Sequence, residues 1–285
     1  MWKRMASVLG LLLLTIACGP SWPARADDVP YVPTPDNLVE AMLSIAEVGP
    51  NDYVVDLGSG DGRILIAAAT RHGARGLGIE LDPGLIARSR QNAANEGVAE
   101  RVEFRQEDIF LADFRDATVV TMYLLPEVNY ALRPRILYEL RPGTRVASHD
   151  WDMVDWEPDR RLTLAAPHKP AGTKQESRVY LWVVPARIAG YWRGTLTGPS
   201  GEEPVLIEFL QRFQHATVTV WLRRSHLLGT GRLRGEHLAL ALEQPSALPG
   251  TGRMHFTLRV ASGRMEGTAT EGNQRYVLRA ERILD

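Results

Sequence analysis

Up to Val184 this chain alternates strand-like and helix-like stretches; after Pro185 it does not. A strand–helix alternation closes as a parallel sheet with right-handed crossovers, whereas short strands joined by tight turns close as an antiparallel meander. Tyr53-Val54-Val55-Asp56-Leu57 is a β-rich run ending in glycines; Arg63–His72 reads as a helix stopped by Gly73, and Arg75–Glu80 as a second strand. Asp82-Pro83 supplies an N-cap and a first-turn proline for a helix closed by Gly97. Arg101–Arg105, Ala117–Leu124 and Thr144–Ser148 read as the next three strands, with a helix over Ala131–Leu140 whose start Pro134 blurs. Arg161–Ala166 and Arg178–Val184 read as a closing pair.

Beyond Pro185 seven short runs follow: Tyr191–Thr197, Val205–Phe213, Ala216–Leu222, Leu238–Leu242, Met254–Val260, Met265–Thr270 and Tyr276–Ala280. Glycine-bearing turns separate most of them, including Gly198-Pro199-Ser200-Gly201, Gly229-Thr230-Gly231, Gly250-Thr251-Gly252, Ser262-Gly263 and Gly272-Asn273. That spacing predicts a small antiparallel barrel. Gly190-Tyr191-Trp192 resembles the opening of lipocalin-like barrels, and an aromatic plug explains Trp192 equally well. The expected units are 1–26, 27–187 and 188–285.

Residues 1–26 read as an address. Lys3-Arg4 precedes an apolar run, Met5 to Ala17, and Ala24-Arg25-Ala26 offers a small-x-small cleavage site before Asp27. The run falls short of the roughly 20 apolar residues that span a bilayer. The expectation is export by a signal peptide, with membrane anchoring as the other reading. Cleavage would remove Cys18, the single cysteine, so no disulfide framework or cysteine-rich zinc module is expected. With 33 basic and 34 acidic residues and no basic run, nucleic-acid binding is not expected. The 7 histidines show no metal-ligand spacing, and no metal is expected.

The chemistry concentrates in Asp56-Leu57-Gly58-Ser59-Gly60-Asp61-Gly62, between the first strand and first helix. Glycines let the backbone turn tightly and approach a ligand, and amides at the helix start bind polar atoms. The G-x-G-x-G spacing is not the G-x-G-x-x-G of dinucleotide binders. Asp56, before the glycines, suits a cationic amino group better than a pyrophosphate. Glu80, ending the second strand, sits where a carboxylate accepts hydrogen bonds from ribose hydroxyls. A nucleoside joined to an amino acid fits all three features, and S-adenosylmethionine is such a molecule. Asp108, after the third strand, is the candidate for the adenine amino group, with Ile109 and Phe110 beside the ring; an N-cap role explains Asp108 as well.

At these residues the chain resembles the class I S-adenosylmethionine-dependent methyltransferases. Pro30-Tyr31-Val32-Pro33-Thr34-Pro35, the glycine motif through Arg63, and Gly78-Ile79-Glu80-Leu81-Asp82-Pro83 together resemble the protein-lysine methyltransferases of the ATP synthase c subunit and the adenine nucleotide translocase, and their bacterial relatives. The similarity runs from about Val29 to Val184. It implies an α/β fold, a Rossmann-like seven-stranded sheet ahead of the barrel, and S-adenosylmethionine as cofactor. It implies that Asp56, Gly58, Ser59, Gly60 and Gly62 hold the methionine end, Glu80 the ribose, and Asp108 with Ile109 the adenine. Tyr31 and Thr34 would belong to a segment folding over the cofactor. The implied acceptor is a protein lysine, on a membrane protein in the resembled group.

Tyr123, ending the fourth strand, and Asp150, after the fifth, are the candidates that orient the amine and supply acceptor-side charge. The Asn-Pro-Pro-Tyr of other amino-group methyltransferases is replaced here by Tyr123-Leu124-Leu125-Pro126, so that motif does not establish nitrogen specificity. Small-molecule methylation stays open, as does an exported binding protein whose barrel carries a ligand. Export also conflicts with the cytosolic supply of the cofactor.

Overall fold

The computed structural model describes residues 31–167, 175–243 and 252–283. The leader expected over 1–26 and most of the expected turn at Gly250-Thr251-Gly252 lie outside them. The first unit contains α1 (Asp36–Ile45), β1 (Tyr53–Leu57), α2 (Arg63–His72), β2 (Arg75–Glu80), α3 (Pro83–Asn95), β3 (Val102–Gln106), β4 (Val119–Met122), α4 (Pro126–Glu139), β5 (Arg145–His149), β6 (Arg160–Ala165) and β7 (Glu176–Val183). Its sheet has the order β3-β2-β1-β4-β5-β7-β6. β1 to β5 pair in parallel; β7 runs antiparallel to both β5 and β6, so the sheet is mixed at the edge where the closing pair sits.

β1 is buried from Val54 to Leu57 because helices cover both faces of the sheet. Leu38, Met42, Leu65 and Ala68 of α1 and α2 pack on one face. Val128, Leu132 and Ile136 of α4, spaced four apart, pack on the other. α1 is an element the periodicity reading did not find. α4 begins five residues before the expected start, with Pro126 in its first turn, and carries Pro134 inside. Asp82 caps α3 as its sequence predicts, its Oδ1 accepting from the Gly84 and Leu85 amides at 2.6 and 3.1 Å.

Eight strands close the second unit: β8 (Gly190–Gly198), β9 (Gly201–Arg212), β10 (His215–Trp221), β11 (His226–Arg234), β12 (His237–Glu243), β13 (Met254–Ala261), β14 (Arg264–Glu271) and β15 (Gln274–Arg282). β11 corrects the sequence reading. Gly229-Thr230-Gly231 is strand interior, not a turn. A Cβ on Gly229 would lie 1.9 Å from the Ala241 carbonyl oxygen, so glycine is there to let neighbouring backbone approach. Inward side chains such as Phe209, Leu240, Phe256 and Leu278 fill the barrel, leaving a cavity of about 10 Å3. That is about one water probe at most. Among the described residues, the barrel interior therefore leaves no room for a carried ligand. Trp192 is buried, its Nε1 donating to the Ile188 carbonyl at 2.8 Å, as an aromatic plug does. No helix among the described residues is long and apolar enough to cross a membrane.

Candidate active site

β2 and β4 flank β1 on opposite sides, so the chain reverses direction across the sheet there; in open α/β sheets ligands dock beyond the strand ends at such a point. A cavity of about 350 Å3 lies there. The strap Tyr31–Thr34, the glycine loop, the end of β2 and the residues just past β4 wall it.

The loop geometry follows from its glycines. Gly58, Gly60 and Gly62 have φ of 76°, 54° and 81°, a region side-chain-bearing residues rarely enter. A Cβ on Gly58 would meet Leu124 Cδ2 at 2.8 Å, and one on Gly60 the Tyr31 ring at 2.6 Å. The Gly58 and Ser59 amides both donate to the Ile79 carbonyl, at 2.9 and 3.0 Å, fastening the loop to β2. Glu80 is oriented by backbone: Oε2 accepts from the Gly60 amide at 2.9 Å, and Oε1 from the Leu81 and Asp82 amides at 2.8 and 3.1 Å. Ser59 Oγ is buried without a hydrogen-bond partner.

Asp56 is only 2 % exposed, and burial pushes its carboxyl up to about 7. The Thr121 hydroxyl, donating at 2.7 Å, opposes that rise, and the charges of Glu80 and Asp61 add to it. Burial also raises Asp61, but the hydrogen bonds and charge of Arg63 outweigh it and hold Asp61 below the usual carboxylate range. The Arg63 Nη2–Asp61 Oδ2 distance is 2.6 Å, and Arg63 Nη1 donates to the Thr34 carbonyl at 3.0 Å. One guanidinium thus ties the glycine loop to the strap.

Tyr31, Thr34, Asp56, Gly58, Ser59, Gly60, Glu80, Ile109 and Tyr123 line the cavity; Gly62, Asp108 and Asp150 do not. Gly62 is enclosed, since a Cβ would strike Phe104 at 2.6 Å. Asp108 is turned inward to its own loop, its Oδ1 accepting from the Phe110 amide at 2.8 Å, and Glu107 takes its place on the wall. Asp150 accepts from the Arg178 amide at 2.8 Å and stands behind the wall.

His149 joins these parts, and sequence reasoning missed it. Its ring stacks on Tyr123 with centroids 3.8 Å apart. Nδ1 lies 3.3 Å from Thr34 Oγ1, and Nε2 lies 3.3 Å from Ser177 Oγ and 3.5 Å from Asp150 Oδ2. Burial, then the Asp150 charge, raises the Tyr123 phenol, which stays protonated at neutral pH. The signals for Glu107 and His149 were their places: each is the residue next to a predicted acid at a strand end.

A family profile described as the ANTKMT methyltransferase domain matches residues 56–160. The chain is 40% identical over 157 residues to a protein-lysine N-methyltransferase of Saccharolobus islandicus, spanning 55% of this chain and 94% of that protein. It is 35% identical over 130 residues to the mouse adenine nucleotide translocase lysine N-methyltransferase, spanning 46% of this chain and only 56% of the mouse protein. Among solved structures, an RNA methyltransferase of Salinibacter ruber in complex with S-adenosyl-L-homocysteine aligns with a TM-score of 0.50 at 52% identity, over 55% of this chain and 96% of that one. The glycine loop, the acid at the end of β2 and this likeness agree: the chain belongs to the ANTKMT methyltransferase-domain family of S-adenosylmethionine-dependent methyltransferases.

Proposed function

We propose that this protein transfers the methyl group of S-adenosylmethionine to the ε-amino group of a lysine in a protein. The observation that carries the reading is the charge of the cavity wall. Among the described residues it bears four carboxylates, on Asp61, Glu80, Asp82 and Glu107, and the Asp56 carboxyl that a bound cation would ionise, against one cation, Arg63, which Asp61 already engages. Such a wall attracts a sulfonium and an ammonium and repels phosphate. The identity to the archaeal and mouse lysine methyltransferases supports the same acceptor.

The cavity residues fit the cofactor. The partnerless Ser59 hydroxyl suits a polar ligand, and Gly58 and Gly60 let Leu124 and the Tyr31 ring close against the loop backbone. Asp56, Gly58, Ser59 and Gly60 would hold its amino-acid end, Glu80 its ribose, and Glu107 with Ile109 its adenine. Tyr31 and Thr34 would cover it, and Gly62 would shape the loop from behind. The cofactor supplies an electrophilic methyl, and displacement at that carbon needs an in-line, neutral amine. Tyr123, protonated, presents a hydroxyl and a ring face that orient the amine, and Asp150 acts from behind through His149. Desolvation and the positive sulfur of a bound cofactor push a lysine here toward its neutral, nucleophilic form, against the pull of the wall's carboxylates.

The Salinibacter likeness gives a second reading, with RNA as the acceptor. Incubation with methyl-labelled S-adenosylmethionine, with poly-L-lysine in one arm and total RNA in the other, separates the two. Label on lysine supports our reading; label on RNA alone contradicts it. We further propose that residues 1–26 export or anchor the chain, so that its acceptor is a membrane or envelope protein. N-terminal sequencing of the fractionated protein checks this, and an intact, soluble, cytosolic chain would refute it.

A further inference from the structure

We infer that the tip of the β9–β10 hairpin is a positioning element for methyl transfer: the barrel uses it to hold the acceptor side of the active site in place. The inference rests on the methyltransferase reading and concerns a unit that begins about thirty residues after the 56–160 family match ends.

Phe213 and Gln214 form the two-residue turn between β9 and β10. Tight hairpin turns of this kind favour Asn-Gly or Gly, because the first central residue takes a positive φ. Phe213 nevertheless has φ 52°. A bulky residue is kept in that conformation only where its side chain has work to do. The Phe213 ring stacks on Trp156, centroids 5.9 Å apart and planes 17° apart. Arg133 of α4 also stands over it, its guanidinium carbon 5.2 Å from the Phe213 ring and 4.5 Å from the Tyr130 ring. Arg133 donates to the Met153 carbonyl at 2.9 Å and pairs with Asp155. Arg212 reaches the same Asp155 at 2.9 Å, Gln214 Nε2 donates to the Glu157 carbonyl at 2.7 Å, and Arg232 pairs with Asp159 at 3.1 Å.

Met153, Asp155, Trp156, Glu157 and Asp159 lie in the segment joining β5 to β6, and that segment starts at the acceptor wall. Asn129 Nδ2 donates to Ser148 Oγ and to the Trp151 carbonyl, at 3.3 and 3.2 Å. Between them sit His149, stacked on Tyr123, and Asp150. Of the five non-glycine residues with positive φ among the described residues, three belong to this assembly: Asp150, Val154 and Phe213. Packed, strained elements transmit small displacements. A shift of about 1 Å in a group that orients reactants can cost about a hundredfold in rate. Glu80 and the glycine loop are fastened to β2 by backbone amides, and they meet this chain of contacts only at one remove, through Arg63, Thr34 and His149.

The test is Phe213→Gly in the full-length protein, which removes the ring while suiting the turn's φ, with Phe213→Tyr as the rescue. Hydrogen exchange should quicken at residues 151–159 and 123–129 but not at 56–62. The affinity for S-adenosylhomocysteine should stay within about twofold, while kcat for methylation of poly-L-lysine falls at least about tenfold and returns in Phe213→Tyr. Unchanged exchange at 123–129, or an unchanged kcat, overturns the inference. So does a parallel loss of S-adenosylhomocysteine affinity, which would mark a general structural role. If the wild-type protein leaves poly-L-lysine unmethylated, the lysine reading fails, and the exchange data alone decide this one.

Discussion

The two units bury opposite kinds of material. Of the buried polar side chains among the described residues, all but one precede β8, and they include Thr34, Asp56, Ser59, Asp61 and His149 around the cavity. The exception is Gln214, at the hairpin tip that enters the first unit. Buried polar groups destabilise a fold unless they are partnered, so a sheet that keeps them beside a cavity has been shaped for something other than stability. The barrel interior is apolar and filled. Glycine makes the same point. Positive φ at Gly58 and Gly60 bends a loop around open space, whereas Gly229 and Gly267, with no positive φ, admit a neighbouring strand.

Substitution should separate the units, most sharply at these glycines. Gly60→Val, with its branched side chain driven against the Tyr31 ring, should abolish S-adenosylhomocysteine binding in calorimetry, at least about a hundredfold. Gly229→Val should unfold the barrel and leave that binding in place; if it also abolished binding, the contrast between the units would fall. Phe209→Ala, opening a hole in the barrel core, should cost about 3–5 kcal/mol in urea denaturation of the barrel, with cofactor affinity unmoved. Glu80→Ala, which removes a carboxylate and strips three amides of their acceptor, should weaken S-adenosylhomocysteine binding about 30- to 100-fold.

The Asp56 carboxyl supplies a pH test. Its folded value of about 7 exceeds the 3.8 of a free side chain, so the folded protein keeps a proton that the unfolded chain has released. Stability of the ligand-free protein should therefore fall as pH rises from about 4 to about 7, then level off. A bound cation favours the carboxylate, so S-adenosylhomocysteine affinity should rise through about pH 7; Asp56→Asn should flatten both profiles. The smallest effect is expected from Asp108→Ala. Losing one amide acceptor there costs about 1 kcal/mol of stability, and cofactor affinity should stay within about threefold. A larger loss of affinity would return Asp108 to the adenine side of the site.

What could be read from the sequence was local. β1, α2 and β2 carry their own punctuation in Gly58, Gly73 and Glu80, and their bounds match the expected ones. Strand-end acids were found by position, but which of Glu107 and Asp108 faces the cavity depends on a turn hydrogen bond that sequence does not display. β11 was lost because glycines in a crowded strand and glycines in a turn are the same letters. His149 depends on Thr34, 115 positions earlier, and on Tyr123 across the sheet, partners only the folded chain brings together. Phe213 read as the end of an apolar run because its stacking partner belongs to the other unit.

The claim on which the rest depends is that the cavity between the Tyr31–Thr34 strap and the glycine loop holds S-adenosylmethionine. Calorimetric titration of the intact protein with S-adenosylhomocysteine tests it most directly. A single site of about micromolar affinity, lost in Gly60→Val and weakened in Glu80→Ala, is the predicted result. A folded protein that takes up no ligand, or takes it up equally well with the loop blocked, would contradict the account.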